Sequence, residues 1–329
     1  MKCTNKRRVT AYICILTIML TFLTGCGGLS YDMAYSTDSD ISSFNVISSR
    51  DTRTATPFAT NLCVVKDDVT DGTTADMSQA TAAVLFALNE NEVIYAKNAH
   101  EVLNPASLTK VMTALVALKY GSLNQQLTAT NTVNITESGA QLCGLKTGDT
   151  MTLDQALRIL LIYSANDVAM LIAEGVGGTV EHFVEMMNEE AKNIGATNTN
   201  FANPHGLTDP NHYTTAYDLY LIFNEAMKYE TFNEIIQMNG YQTVYYDKSG
   251  KEKKFDKLTT NLFIQGRYSA PDNVTVIGGK TGTTNAAGHC LMLLSRDVQG
   301  APYILIVMGE PSTDELYNSV VELLDEINN

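Results

Sequence analysis

One stretch constrains the fold more than any other. Between residues 107 and 118 the apolar side chains Leu108, Val111, Met112, Leu115, Val116 and Leu118 cover most of the circumference of a helix that Gly121 then stops. A surface helix shows an apolar stripe on one side only, so a helix apolar nearly all round must be buried nearly all round. The chain must therefore place other elements on every side of it. With 329 residues, 45% of them hydrophobic, it has the material to do so.

The surrounding pattern supplies those elements. Residues 82–88 and 92–96 are apolar and β-prone on either side of Asn89-Glu90-Asn91, which reads as a hairpin. Helical periodicity follows over 152–163, 167–174, 179–194 and 215–229, with Gly175 and Gly195 as C-caps and Thr215 with Asp218 as a capping arrangement. Residues 241–246, 274–278, 290–295 and 303–308 read as strands, and 314–327 as a last amphipathic helix. Strands thus stand first and last with helices between. That order fits an α+β fold: an antiparallel sheet built from about 76–106 and 240–329, with an inserted all-helical lobe over about 107–239. No internal repeat is visible.

Charge removes one class of function. Against 22 basic residues stand 36 acidic ones, a formal charge of −14, so nothing is available to neutralise a phosphate backbone and nucleic acid is excluded as a partner. The basic residues that open the chain have another use. Lys2, Lys6, Arg7 and Arg8 precede an apolar run, too short for a bilayer span, that ends Leu23-Thr24-Gly25-Cys26. This resembles the lipobox of bacterial lipoproteins and implies a signal peptide over 1–25, acylation of Cys26, and export to the outer face of the bacterial cell membrane. Cleavage there would make the mature chain four charges more negative. Anionic headgroups would repel it, so the acyl chains must hold it to the membrane. Residues 26–75 are rich in Ser, Thr, Asp and Gly and read as a flexible tether, clearest up to about residue 60. Cys63, Cys143 and Cys290 are odd in number and widely spaced, so they read as buried thiols, with neither a disulfide framework nor a zinc site.

Chemistry enters at the start of the buried helix, in Pro105-Ala106-Ser107-Leu108-Thr109-Lys110. A serine and a lysine three residues apart lie on one helix face, one turn apart. A serine hydroxyl is a poor nucleophile until a base takes its proton, and a desolvated lysine near a second cation is neutral enough to do so. One S-x-x-K is expected by chance in such a chain, so its company decides. Ser164-Ala165-Asn166 falls between two helical patterns, where a loop can aim a hydroxyl and an amide into a cleft, and Lys280-Thr281-Gly282 follows the strand at 274–278. Three further matches are read as structural: Lys146-Thr147-Gly148 as a turn, Ser122-Leu123-Asn124 as the loop leaving the central helix, and Ser43-Phe44-Asn45 as tether.

The set S-x-x-K, S-x-N, K-T-G resembles the signature of the penicillin-binding proteins and serine β-lactamases. With Asn203-Pro204-His205-Gly206-Leu207 and the extension Thr283-Thr284, residues 78–310 look like the D-alanyl-D-alanine carboxypeptidases. The resemblance implies a five-stranded antiparallel sheet flanked by helices, with peptidoglycan stem peptides as substrates, β-lactam antibiotics as inhibitors and no cofactor or metal. It implies Ser107 as nucleophile, Lys110 as its base, Ser164 as proton relay and Asn166 as an orienting amide. Lys280, Thr281, Gly282 and Thr283 would bind substrate, with the backbone N–H groups of Ser107 and Thr283 around the oxyanion. Two departures stand out. Relatives carry an arginine facing the substrate carboxylate at the start of the last helix, where this chain reads Glu310-Pro311-Ser312-Thr313; and little chain follows the last helix, leaving the lipid as the expected anchor in place of a C-terminal one.

Other readings are weaker. A class A β-lactamase needs a glutamate after the S-x-N block to activate water, and none occurs between Ala191 and Asn224. A zinc peptidase would have to use His205, Asp209 and His212, which lack H-E-x-x-H spacing. A non-catalytic muropeptide-binding scaffold is favoured only by the missing arginine.

Overall fold

The computed structural model describes residues 61–328. The signal peptide, Cys26 and most of the tether lie outside the described residues. Within them the chain runs β1 (Ala82–Ala87), β2 (Glu92–Lys97), α1 (Thr109–Tyr120), β3 (Gln126–Thr128), β4 (Thr150–Thr152), α2 (Leu153–Arg158), α3 (Asn166–Gly177) and α4 (Val180–Asn193). It continues with α5 (Ala216–Ala226), α6 (Glu230–Ile236), β5 (Gly240–Tyr246), β6 (Glu252–Leu258), β7 (Thr275–Thr284), β8 (Gly288–Arg296), β9 (Pro302–Glu310) and α7 (Thr313–Asp325).

Five strands form one antiparallel sheet in the order β2-β1-β9-β8-β7, so the N-terminal hairpin pairs beside the C-terminal strands and β7 is an edge. Every residue of β1 is buried because both faces of the sheet are covered. Ala83 and Leu85 face a core closed by Leu316, Tyr317, Val320 and Leu323 of α7. Val84 and Phe86 face the larger core that holds α1. The demand made by the α1 sequence is met: Thr109 through Ala117 are all buried.

Several features depart from the sequence reading. The inserted lobe is not all helical, because β3 and β4 pair with β5 and β6 in a second sheet of order β3-β4-β5-β6. Three-residue strands are too short to show alternation, and β6 (EKKFDKL) buries only Phe255. The β5–β6 hairpin therefore pairs with the lobe, and the main sheet resumes only at β7. Gly175 is not a cap: α3 continues to Gly177, and a Cβ on Gly175 would stand 2.5 Å from Leu127 Cδ2.

Residues 61–75, assigned to the tether, instead hold to the domain. Cys63 is fully buried, its N–H donates to Tyr220 Oη at 3.0 Å, and its carbonyl accepts from Tyr217 Oη at 3.0 Å. Val69 bridges to Ala96 through two backbone hydrogen bonds of 2.7 and 2.8 Å. Two tyrosines far along the chain supply these partners, so local composition could not reveal them. No helix among the described residues is long and apolar enough to cross a membrane.

Candidate active site

The nucleophile candidate sits where the chain turns into α1. Pro105 precedes Ala106, which takes φ +48°, and a 3₁₀ turn over Ala106–Leu108 leads into the helix. A left-handed alanine costs about 1–2 kcal/mol. That strain is held by the loop Asn203–Leu207, where Gly206, at φ +88°, lies so close that any Cβ would collide with the Ala106 carbonyl. Thr113 Oγ1 donates to Pro204 O at 2.6 Å and fixes the same loop on α1.

Lys110 is fully buried one turn on. Its Nζ stands 2.9 Å from Ser107 Oγ, 2.7 Å from Asn166 Oδ1 and 2.5 Å from the His205 carbonyl. The last two oxygens can only accept. A neutral amine in this place would give them its two N–H groups and turn its lone pair to the Ser107 hydroxyl, whereas a charged one would donate to that hydroxyl as well. Burial and then the charge of Lys280 hold Lys110 well below its ordinary pKa of 10.5, against an opposing pull from Asp167.

The second block is shaped by a local irregularity. A π-helical turn over Ile159–Tyr163 follows α2 and ends at Ser164, which is left-handed at φ 67° and ψ 32°. The extended Ala165 comes next, and Asn166 opens α3. π-turns carry one residue more than the α-helical ladder accommodates, which here re-aims the chain toward the cleft. Asp167 then takes backbone N–H groups of Cys143, Gly144 and Leu145 at 2.9, 2.8 and 2.9 Å. This fixes the segment whose residues Gly139–Gln141 line the cleft.

The third block lies inside β7 rather than after a strand. Gly278 and Gly279 read as an end, yet pairing with β8 carries the strand through Lys280-Thr281-Gly282 to Thr284. Lys280 is 1% exposed, and its Nζ donates to Ser164 Oγ at 2.9 Å and to Thr281 O at 2.8 Å. Burial lowers its pKa to about 7. Gly282 packs on the turn that carries Ser107, Thr281 Oγ1 lies 2.6 Å from Thr260 Oγ1, and Thr283 is exposed to the cleft.

Ser107, Ser164, Asn166, Thr281, Gly282 and Thr283 thus line one open cleft of about 690 Å³, with Lys110 and Lys280 buried beneath it. The structure adds groups to which the sequence assigned no role: the carbonyl of His205, within the Asn203–Leu207 block, then Thr260, and an outer wall bearing Arg267, Tyr268, His289 and Asp314. A backbone acceptor carries no residue signature, and the wall residues come from separate elements.

The remaining sequence matches have structural partners. Asp149, beside Lys146-Thr147-Gly148, accepts from Lys146 N at 2.9 Å and from Lys253 Nζ at 2.6 Å. His212 Nδ1 accepts from Ala202 N at 3.0 Å, so its Nε2–H is the donor toward Thr109 Oγ1 at 2.8 Å. Burial lowers the pKa of His212 to about 4 and that of His205 to about 3. Cys63 and Cys290 are buried and Cys143 is half-buried.

Comparison with known proteins gives one family. The model for D-alanyl-D-alanine carboxypeptidase, peptidase S11, matches residues 69–312. D-alanyl-D-alanine carboxypeptidase DacF of Bacillus subtilis is 34% identical over 250 residues, covering 75% of this chain and 61% of the relative. DacC of Escherichia coli, of the same description, is 32% identical over 255 residues, covering 74% and 60%. The chain therefore spans about three-fifths of the length of these curated relatives. Among solved structures, a Streptomyces DD-transpeptidase superposes with a TM-score of 0.70 at 25% identity, covering 77% of this chain and 98% of the other. D-alanyl-D-alanine carboxypeptidase of Mycobacterium tuberculosis superposes at 0.69 with 28% identity, covering 80% and 96%.

Proposed function

The chain belongs to the D-alanyl-D-alanine carboxypeptidase family, and from that membership and the geometry of the cleft we propose that it is a serine carboxypeptidase removing the terminal D-Ala from peptidoglycan stem pentapeptides. The observation that carries the proposal is the placement of Lys110 Nζ, 2.9 Å from Ser107 Oγ with its two other hydrogen-bonding directions already taken.

The chemistry follows from that placement. Ser107 Oγ gives its proton to Lys110 Nζ and attacks the carbonyl of the penultimate D-Ala. The oxyanion forms between the backbone N–H groups of Ser107 and Thr283, donors that need no reorganisation as charge develops. Ser164, tied to Lys280, passes a proton to the leaving amine, and the C–N bond breaks to release D-Ala. Asn166 holds Lys110 in place. Lys280, Thr281 and Thr283 take part in holding the terminal carboxylate. Water then cleaves the Ser107 ester by the same route in reverse. No glutamate lines the cleft among the described residues, which weighs against efficient hydrolysis of a penicilloyl ester. β-Lactams are thus inhibitors that acylate Ser107. An amine in place of water would make the product a transpeptide, a reading favoured by the likeness to a DD-transpeptidase.

The catalytic region, expected over 76–329, is assigned to 61–329 because residues 61–75 are held to it, with export over 1–25 and attachment to the outer face of the cell membrane through acylated Cys26. The support for that attachment is the Leu23-Thr24-Gly25-Cys26 sequence. Cys26→Ala should shift the protein from the membrane to the soluble fraction and abolish labelling by a fatty acid.

Two measurements test the activity: D-Ala release from a defined stem pentapeptide, and covalent labelling by a fluorescent penicillin. Both should vanish in Ser107→Ala, which changes little volume and should fold normally. Release that persists in that variant overturns the assignment of the nucleophile.

A further inference from the structure

A stem peptide that ends in D-Ala brings a full negative charge into the cleft. A carboxylate stripped of water is costly unless it meets a cation with matching donors. Lys280 is poorly suited to do this alone, because its ammonium is buried beneath the floor and two of its hydrogen bonds go to Ser164 and Thr281. The start of α7 offers no cation either: Ser312, Thr313 and Asp314 stand there, and Asp314 lines the cleft with the wrong sign.

The wall beside that helix end carries a cation, Arg267. We propose that Arg267 is the residue that receives the terminal carboxylate of the substrate, so that it sets the preference for a free C-terminus. This rests on the carboxypeptidase reading above. Arg267 is the only lysine or arginine among the described residues lining the cleft. Its side chain is exposed and makes no ion pair with any described carboxylate. A guanidinium presents a planar fork that matches a carboxylate with two parallel hydrogen bonds.

The position of Arg267 is fixed although its side chain is free. Its N–H donates to Leu262 O at 2.9 Å, and Leu262 N–H in turn donates to Tyr317 Oη at 2.9 Å. Tyr268 stacks on Tyr317 with ring centroids 4.5 Å apart, and Phe263 packs against both rings. Tyr268 Oη donates to Asp314 Oδ1 at 2.6 Å, which closes the turn onto the first residues of α7. An aromatic clamp thus brings a cation from the β6–β7 connection to the helix end that lacks one. Tying Asp314 to Tyr268 also gives that carboxylate a partner other than Arg267.

The test uses the full chain and two acyl-D-Ala-D-Ala peptides, one with a free C-terminal carboxylate and one capped as the amide. Arg267→Gln should lower kcat/KM for the acid by about tenfold or more through KM, and leave the amide unchanged. Arg267→Lys should fall between, and Asp314→Asn should lower KM for the acid alone. A wild-type preference for the acid that survives intact in Arg267→Gln, with Ser107 still acylated by penicillin, overturns the role of Arg267 only. A wild-type protein that neither releases D-Ala nor takes up penicillin overturns the carboxypeptidase reading, and this inference with it.

Discussion

Gly282 of β7 sits so close to Ser107 that a Cβ on it would stand 3.1 Å from the Ser107 backbone nitrogen. The same Cβ would be 3.2 Å from Ala106 Cβ and from Leu108 N. The glycine lets the strand meet the turn that carries Ser107, an approach that the proposed mechanism needs for the Ser107 and Thr283 N–H groups to address one oxygen atom. Gly282→Ala should push strand and turn apart by a few tenths of an ångström. Loss of one oxyanion donor costs roughly 10²–10³ in rate. The acylation rate with a penicillin should drop by about that factor, while the thermal midpoint moves little.

The two buried lysines predict a bell-shaped pH profile of kcat/KM. Lys110 accepts a proton only when neutral, so acylation should fall as pH drops through its depressed pKa. Lys280 holds its charge only below about 7, so substrate capture should weaken as pH rises past that point. Lys280→Arg keeps a cation that does not titrate in this range. That variant should lose the alkaline limb and keep the acid one, whatever its absolute rate.

Asp167→Asn should move the acid limb to lower pH, because the carboxylate is the neighbour that favours protonated Lys110. It should also destabilise the fold. Asp167 receives N–H groups from Cys143, Gly144, Leu145 and Val168 across two oxygens, and an amide offers only one. A buried donor left unpaired costs about 1–3 kcal/mol. The urea midpoint and the kcat/KM profile measure the two effects separately.

Stability should depend on His212. Its ordinary pKa of 6.5 is lowered to about 4 in the fold, by burial first. As pH falls from about 6.5 to about 4 the unfolded chain binds a proton that the folded chain refuses, so stability falls across that window. His205, lowered to about 3, adds to the same slope. His212→Gln should flatten the slope in a denaturant titration at several pH values, and should lower stability at neutral pH through the partners it leaves at Thr109 and Ala202.

What the sequence could show follows from where each signal lies along the chain. The apolar girdle of α1 demanded burial, and burial is also what lowers the pKa of Lys110, so one local pattern announced both a fold element and a chemical property. The strand through Lys280 was legible only to 278, because its glycines look like a break until β8 supplies the pairing. β6 was hidden by its charge, and β3 and β4 by their length. The His205 carbonyl and Arg267 depend on distant elements meeting: α1 with the Asn203–Leu207 loop, and the β6–β7 connection with Tyr317. No residue spacing encodes such a meeting.

The main sheet ends at β7, and its unpaired flank over Thr281–Thr284 opens on the cleft rather than on another strand. An incoming peptide in extended form can dock there as a sixth ribbon, matching amide to amide along its length. In the proposed carboxypeptidase, docking of that kind would draw on the substrate's main chain for affinity and leave discrimination to the side chains that line the cleft.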